Sequence, residues 1–429
     1  MAEHGKALMV RKFRFAFLYY HEALHQIPHS APIINGLMQT NPDCEITVFY
    51  THERQRALVE KIVDPDHLDQ IQWEKLALAP LLGVFLYIIN LFGPVYRLAI
   101  LHKFRKKFTR FDALIVNENT THRLRRLYKM KRPFLVNTGH GSGDRSITFR
   151  DVRKYYDLQL ISGPKVQSQY EAHGLLRPGG YAQVGFLKCE AIKAMNGKRP
   201  RLFDNDRPII LYNPHFDPYL SSWYKMGIDI LNFFANNRDY NLIVAPHVML
   251  FKRIFQASVE HIHFSFVRPI PKKYYDIPNI HIDTSSDALI DMTYTQMADI
   301  YMGDVSSQVY EFLVKPRPCL FLNCHNANWQ GNPYYRFWSY GTVIDRTADL
   351  KQELAATVRD HNLYLEKQRK QAEETYGRVE HPSLTAAQAI ITRLEALEES
   401  SAHPQQIRRW QADHTEHRRR YDDPAQSSG

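Results

Sequence analysis

The sequence predicts an α/β protein built from two doubly wound domains whose parallel sheets face a central cleft, with helices at the C-terminal end. Three observations carry this. The chain has 429 residues, 44% of them hydrophobic, whereas single cores stop growing at roughly 250–300 residues. Short apolar runs such as ALIVN at 113–117, IILYN at 209–213 and NLIVA at 241–245 alternate with segments of helical pattern, as buried parallel strands do. A polar stretch over 185–207, with Lys188, Lys198, Arg199, Pro200, Arg201 and Asp204-Asn205-Asp206, separates two such series and reads as a linker.

The first series opens with a strand over 13–20, rich in aromatic residues. A loop with His21, Glu22, His25 and His29 follows. Ser30-Ala31-Pro32 then starts a helix, with Ser30 as N-cap and Pro32 in the first turn. Strands are expected at 45–50, 113–117, 134–137, 158–162 and 182–185, with a helix over 120–129. The second series places strands at 209–213, 241–245, 280–283, 299–302 and 319–322, and helices over 221–236, 286–297 and 306–314. Beyond Asp345 the pattern becomes helical and charged, over 348–376 and 385–399. A polar tail with His417-Arg418-Arg419-Arg420 ends the sequence and is expected to be disordered. The expected units are therefore 1–190, 207–345, C-terminal helices over 346–399 and a tail over 400–429.

The formal net charge of +10 and pI near 9.2 favour an acidic partner: nucleic acid, an anionic membrane or a phosphorylated substrate. No nucleic-acid motif accompanies the basic stretch Arg123-Leu124-Arg125-Arg126 and Lys129, so nucleic acid is set aside. Four cysteines without a CxxC pair do not make a disulfide framework. The N-terminal apolar stretch is interrupted by Arg11, Lys12 and Arg14. That is no signal peptide, and the cytoplasmic side is the default. Residues 76–96 carry no charge, but Pro80 and Pro94 bracket them, and Arg97, Lys103, Arg105, Lys106, Lys107 and Arg110 follow. Three readings stay open: a helix lying on the inner face of an anionic membrane, a buried helix beside a solvated basic one, or a true span.

Four constellations carry chemistry. In Ala298–Phe312 a short strand ends at Gly303, Asp304 follows, and Ser306 and Ser307 open a helix. Free backbone N–H groups and serine hydroxyls there suit phosphate oxygens, and Glu311 one turn on could accept from ribose hydroxyls. The bland reading is a well-capped helix. In Val136–Arg145, His140 sits among Gly139, Gly141 and Gly143 beyond a strand, with Ser142 and Asp144 next to them; a histidine can take a proton near neutral pH. His247 in Val244-Ala245-Pro246-His247 and His215 in Tyr212–Asp217 stand at strand ends of the second series and could meet a phosphate or leaving-group oxygen. The spacing His21-x3-His25-x3-His29 could be taken for a metal site, but Pro28 breaks a continuous helix and no further ligands complete it, so His25 is read as an acceptor-pocket candidate and no metal or cofactor is expected.

These pieces, in this order, resemble the CDP-glycerol glycerophosphotransferases that build teichoic-acid-like polymers, enzymes of Rossmann-like GT-B type. His140-Gly141 matches their His-Gly pair and Leu211–Phe216 a strand with a following proline and aromatic. Pro246-His247 matches a His-Pro step in reversed order, and Asp304-Val305-Ser306-Ser307 with Glu311 and Lys315-Pro316 matches an Asp-Tyr-Ser-Ser element with a downstream acid and Lys-Pro. The likeness covers about 130–325. It implies His140 as base on an acceptor hydroxyl, His247 near the donor phosphates, and Ser306 and Ser307 on the pyrophosphate. Val305 replaces the family's tyrosine, and Asp217 its arginine, which bears on CDP-glycerol as donor more than on the fold. The expected activity is transfer of a glycerophosphate or glycosyl group from a nucleotide-activated donor to a hydroxyl of a polymer or lipid-linked acceptor. The alternatives are a sugar-nucleotide epimerase or hydrolase on the same scaffold, for which no extra acids stand out, and a non-catalytic nucleotide-binding protein.

Overall fold

A computed structural model of the chain describes residues 12–21, 24–79, 95–139, 151–195, 201–258 and 261–402. The strands of the first half are β1 (Arg14–Tyr19), β2 (Glu45–Tyr50), β3 (Ile71–Lys75), β4 (Ala113–Val116), β5 (Phe134–Asn137), β6 (Leu158–Ile161) and β7 (Tyr181–Gln183). They form one seven-stranded sheet in the order β3-β2-β1-β4-β5-β6-β7, parallel at every pairing. The second half holds β8 (Ile209–Asn213), β9 (Asn241–Val244), β10 (Phe255–Ser258), β11 (His263–Phe266), β12 (Ile280–Ile282), β13 (Ile300–Gly303), β14 (Cys319–Leu322) and β15 (Thr342–Ile344). Six of these make a parallel sheet, β12-β9-β8-β13-β14-β15, while β10 and β11 pair separately as an antiparallel ribbon.

The main helices are α1 (Pro32–Thr40), α2 (Glu53–Ile62), α3 (Val95–Phe108), α4 (Pro164–Ala172), α5 (Leu187–Met195), α6 (Trp223–Asn236), α7 (Thr293–Met297), α8 (Gln308–Phe312), α9 (Leu350–Arg359), α10 (Leu365–Tyr376) and α11 (Pro382–Ala402). Period-two alternation sends β1 side chains to both faces. Phe15 and Phe17 pack with Ile33, Ile34 and Leu37 of α1, whereas Ala16 and Leu18 pack with Ile100, Leu101 and Phe108 of α3. The second sheet does the same: Ile210 and Tyr212 meet Ile230 and Phe234 of α6, and Leu211 and Tyr301 meet Val309 and Phe312 of α8. Each fully buried side chain of this kind contributes about 1.5–3 kcal/mol.

The C-terminal helices tie the halves together. Gln368 of α10 donates to the carbonyls of Tyr340 (2.7 Å) and Arg317 (3.0 Å) in the second half. α11 then returns to the first half and lies on α1. The helices approach so closely at Gly36 that a Cβ there would fall 2.2 Å from the Ser383 carbonyl oxygen.

Several expectations are corrected. Ser30 is no N-cap: its buried hydroxyl bonds Tyr19 Oη (3.0 Å) and the helix is capped at Ala31. The helix expected over 120–129 is a 3-10 turn at Thr120–His122 and one short turn at Arg123–Arg126. The 185–207 stretch contains α5, which packs on the first core through Leu187 and Ala191. The helix of 286–297 is split into Asp287–Leu289 and α7, and that of 306–314 shrinks to the five residues of α8. β3, β15 and the β10–β11 ribbon were not anticipated. β3 alternates polar and apolar residues at a sheet edge and β15 has three residues, so neither shows a continuous apolar run. Of residues 76–96, 80–94 lie outside the described residues, and the basic run that follows is α3. No helix among the described residues is long and apolar enough to cross a membrane.

Candidate functional site

In each sheet the strand order reverses once, between β1 and β4 in the first and between β8 and β13 in the second. Parallel pairing puts all carboxyl ends of a sheet on one edge, and the reversal opens a crevice there for ligands. The residues just beyond β8 and β13 are Pro214-His215 and Asp304–Ser307. Those beyond β1 and β4 are Tyr20-His21 and Asn117-Glu118.

An acid closes each switch point. Asp304 is fully buried. Its Oδ1 accepts from the backbone N–H of His215 (2.9 Å) and Val305 (2.7 Å), and its Oδ2 from the N–H and hydroxyl of Ser222 (2.6 and 2.8 Å). The Trp338 indole donates to its carbonyl at 2.8 Å. Burial pushes the Asp304 carboxyl up to about 6, and the four donors partly oppose this. With both oxygens engaged by the protein, Asp304 locks the loop after β8 and the start of α6 to the loop after β13; it positions the crevice rather than facing a ligand. Glu118 has the same place in the first sheet. Its carboxylate accepts from Tyr20 Oη (3.0 Å), the Thr121 N–H (3.0 Å), the Thr121 hydroxyl and the Thr120 N–H.

The two histidines of the second sheet's edge meet. The rings of His215 and His247 are 5.4 Å apart, with Phe216 at 4.4 and 4.8 Å from them. His215 Nδ1 accepts from the Asp217 N–H (3.1 Å) and His247 Nδ1 from the Met249 N–H (3.3 Å). An accepting Nδ1 puts the proton of a neutral imidazole on Nε2. Burial, helped by Lys252, lowers the His247 pKa to about 4, so that ring is neutral at pH 7.

The loop after β13 is less open than its sequence suggests. Ser306 is fully buried, its Oγ accepting from the Gln308 N–H at 3.4 Å, and Ser307, at the N-cap of α8, is the exposed member of the pair. Gly303 is required by packing: a Cβ would lie 2.7 Å from the Tyr301 hydroxyl. Glu311, expected to meet ribose, pairs with Lys188 of α5 at 2.5 Å. Glu311 and Gln308 also line a small cavity of about 10 Å³ with Leu211, Ala245 and Tyr294.

On the first sheet, His140, Gly141, Ser142, Gly143 and Asp144 lie outside the described residues. The approach to them is built. Asn137 Oδ1 accepts from the Gly139 N–H (3.0 Å) and Arg153 Nη1 (3.1 Å), and Asn137 Nδ2 donates to the Glu118 carbonyl (3.0 Å). A cavity of about 30 Å³ opens there, lined by Thr138, Gly139, Arg153, Tyr170 and His29. His25 and His29 lie on the 3-10 helix Leu24–His29 beyond β1, His25 half-buried and His29 edge-on to Phe186 at 5.7 Å. No group of three or more His, Cys, Asp or Glu converges among the described residues.

Sequence reasoning missed Glu118, Arg153 and His325. His325 follows β14 and binds Tyr335 Oη through Nε2 at 2.7 Å; burial, with Lys225 and His261 nearby, lowers its pKa to about 4. The strand-end signal that singled out His215 and His247 also exists at Asn323-Cys324-His325.

This is a GT-B-type fold: two doubly wound parallel sheets with facing carboxyl edges and a C-terminal helix that crosses back to the first half. Solved structures of that type resemble it. The wall teichoic acid polymerase TagF superposes with a TM-score of 0.60 at 12% identity, covering 90% of this chain and 90% of that one. The S. aureus MnaA–UDP co-structure superposes at 0.54 and 12% identity, covering 87% and 94%. A UDP-GlcNAc 2-epimerase from Neisseria meningitidis bound to UDP-GlcNAc superposes at 0.52 and 12%, covering 89% and 99%. No protein-family model matches the sequence, and no curated protein matches it.

Proposed function

We propose that the chain is a transferase that holds a nucleotide-activated donor at the carboxyl edge of the second sheet and passes its glycerophosphate or glycosyl group to a hydroxyl presented from the first. The observation that carries this reading is the pairing of His215 and His247 at that edge, where the neutral His247 ring carries its proton on Nε2. A neutral donor beside a switch point suits the oxygens of a diphosphate, which become more negative as the nucleotide leaves. Ser307, the exposed serine beyond β13, adds a hydroxyl on the same sheet edge. In the reaction the acceptor oxygen bonds to the transferred phosphorus or anomeric carbon while the bond to the nucleotide's oxygen breaks. The nucleotide departs as an anion, and the acceptor proton passes to His140, the role the family resemblance implies. Neither metal nor cofactor enters this scheme.

A UDP-sugar epimerase is the second reading, supported by the likeness to UDP-bound structures. Against it, among the described residues, stands Glu118: both oxygens of this acid at the first sheet's edge accept from protein donors.

Product analysis separates the two. Incubation with CDP-glycerol, CDP-ribitol and UDP-GlcNAc, with and without a lipid-linked acceptor, should yield free nucleotide only when an acceptor hydroxyl is present. Conversion of UDP-GlcNAc into an isomer without acceptor would favour the epimerase. His140→Ala should abolish transfer while leaving donor-induced thermal stabilisation in place; near-normal transfer by that variant would remove His140 as the base.

A further inference from the structure

The ribbon β10–β11, inserted between β9 and β12, has its amphipathic character turned inside out. Phe255↔Phe266 and Ala257↔Phe264 share one face, and Gln256↔Ser265 and Ser258↔His263 share the other. The polar face is the one turned inward: Gln256 and Ser258 are buried, and Gln256 donates to the carbonyls of Met249 (2.6 Å) and Leu250 (3.2 Å). The phenylalanines point out, with Phe255, Phe264 and Phe266 at 46%, 57% and 72% exposure and Ile254 and Ile262 beside them at 80% and 82%. Phe255 stacks on Phe264 (5.9 Å) and meets Phe266 edge-on (5.5 Å), so the patch is contiguous. A sheet that puts its polar side in and its aromatic side out has a second partner to bury the aromatics.

The surroundings say which partner. Lys252 and Arg253 lead into the ribbon and Arg268, Lys272 and Lys273 lead out; all five are exposed, and among the described residues none of them forms an ion pair. Between 252 and 273 the sequence has one acid, Glu260. A second copy of the chain would set five cations against five, which disfavours self-association. The most exposed apolar residue of the patch, Ile262, stands at the turn of the ribbon.

We propose that this ribbon docks the protein on a bilayer with anionic headgroups, Phe255, Phe264, Phe266, Ile254 and Ile262 entering the interface and the five cations meeting the phosphates. Tyr219, four residues after His215, stacks on His261 at 4.1 Å, so docking holds the carboxyl edge of the second sheet beside the lipid surface. That consequence for a lipid-linked acceptor rests on the transferase reading; the docking does not.

Co-sedimentation of the full chain with phosphatidylcholine vesicles, with and without phosphatidylglycerol, tests it in the absence of any donor. Binding is expected only to the anionic vesicles, weakening as salt is added. Phe264→Ser with Phe266→Ser should lower vesicle affinity roughly tenfold or more, as should Arg253→Glu with Lys272→Glu, while melting temperature and donor-induced stabilisation stay as in the parent. Wild type that stays in the supernatant overturns the proposal. So does a phenylalanine variant that binds as well as wild type, or a wild-type oligomer that this variant dissolves without any vesicle binding.

Discussion

Lys188, in the first turn of α5, donates to Glu311 Oε1 in α8 at 2.5 Å, with side-chain exposures of only 3% and 15%. The pair joins the first core to the short helix that follows the serine loop of the second. Lys165 of α4 reinforces it, with Nζ 3.8 Å from the centre of the Tyr310 ring, and at the surface Arg54 Nη2 meets Asp287 Oδ1 at 2.8 Å. The helix that follows the loop after β13 is thus gripped by the opposite half of the protein.

Removing one partner of a buried pair leaves the other charge without compensation. Lys188→Met should therefore lower stability by about 3 kcal/mol or more, read as a fall in melting temperature. Lys188→Met with Glu311→Gln should recover most of it. Recovery in the double variant separates a charge effect from simple loss of packing.

Asp304→Asn keeps the shape of the side chain but turns one acceptor oxygen into an NH2 group facing either the His215 and Val305 N–H groups or Ser222. A cost of about 2–4 kcal/mol is expected from the opposed donors. Titration of nucleotide donor against the folded variant should show weaker binding, because the loops after β8 and β13 lose their common anchor.

His247→Ala removes a neutral N–H donor from the crevice. Under the transferase reading, turnover should fall by about 10²–10³-fold, and His247→Gln, which restores an N–H donor, should recover part of it. Steady-state rates of the two variants at saturating donor measure this.

Acid should destabilise the protein in a defined window. His247 and His325 fall from an ordinary 6.5 to about 4 in the folded state. Between these values the unfolded chain binds their protons and the folded one does not, so their contribution is full above pH 6.5 and is lost as pH falls towards 4. Asp304 acts in the opposite sense: its raised value of about 6, against 3.8, adds stability as pH falls through 6. His325→Gln should therefore flatten the acid-side slope between about pH 6 and 4.5, as measured by denaturant titration at several pH values.

Gly36→Ala should weaken the seat of α11 on α1, since the added Cβ meets the Ser383 carbonyl at 2.2 Å. A loss of about 1–3 kcal/mol is expected, visible as a lower melting temperature and as earlier proteolysis near Ser383.

The runs at 113–117, 209–213 and 241–245 announced buried parallel strands because such strands are apolar on both faces, and His215 and His247 could be placed at strand ends for the same reason. Edge strands such as β3, and the three-residue β15, gave no such signal; their side chains are half solvated, so their pattern resembles that of a loop. The β10–β11 ribbon does alternate, but alternation does not say which face is buried; Gln256 turns inward by donating to the carbonyls of Met249 and Leu250. By itself, then, the sequence determined two α/β series, the strands that carry the crevice and the histidines at their ends. Only the tertiary structure decided that Asp304 is an internal clamp, that Ser306 is enclosed while Ser307 is open, and that Glu311 is paired to Lys188. Burial and partner choice arise between segments far apart in the chain, whereas periodicity is a property of each segment alone.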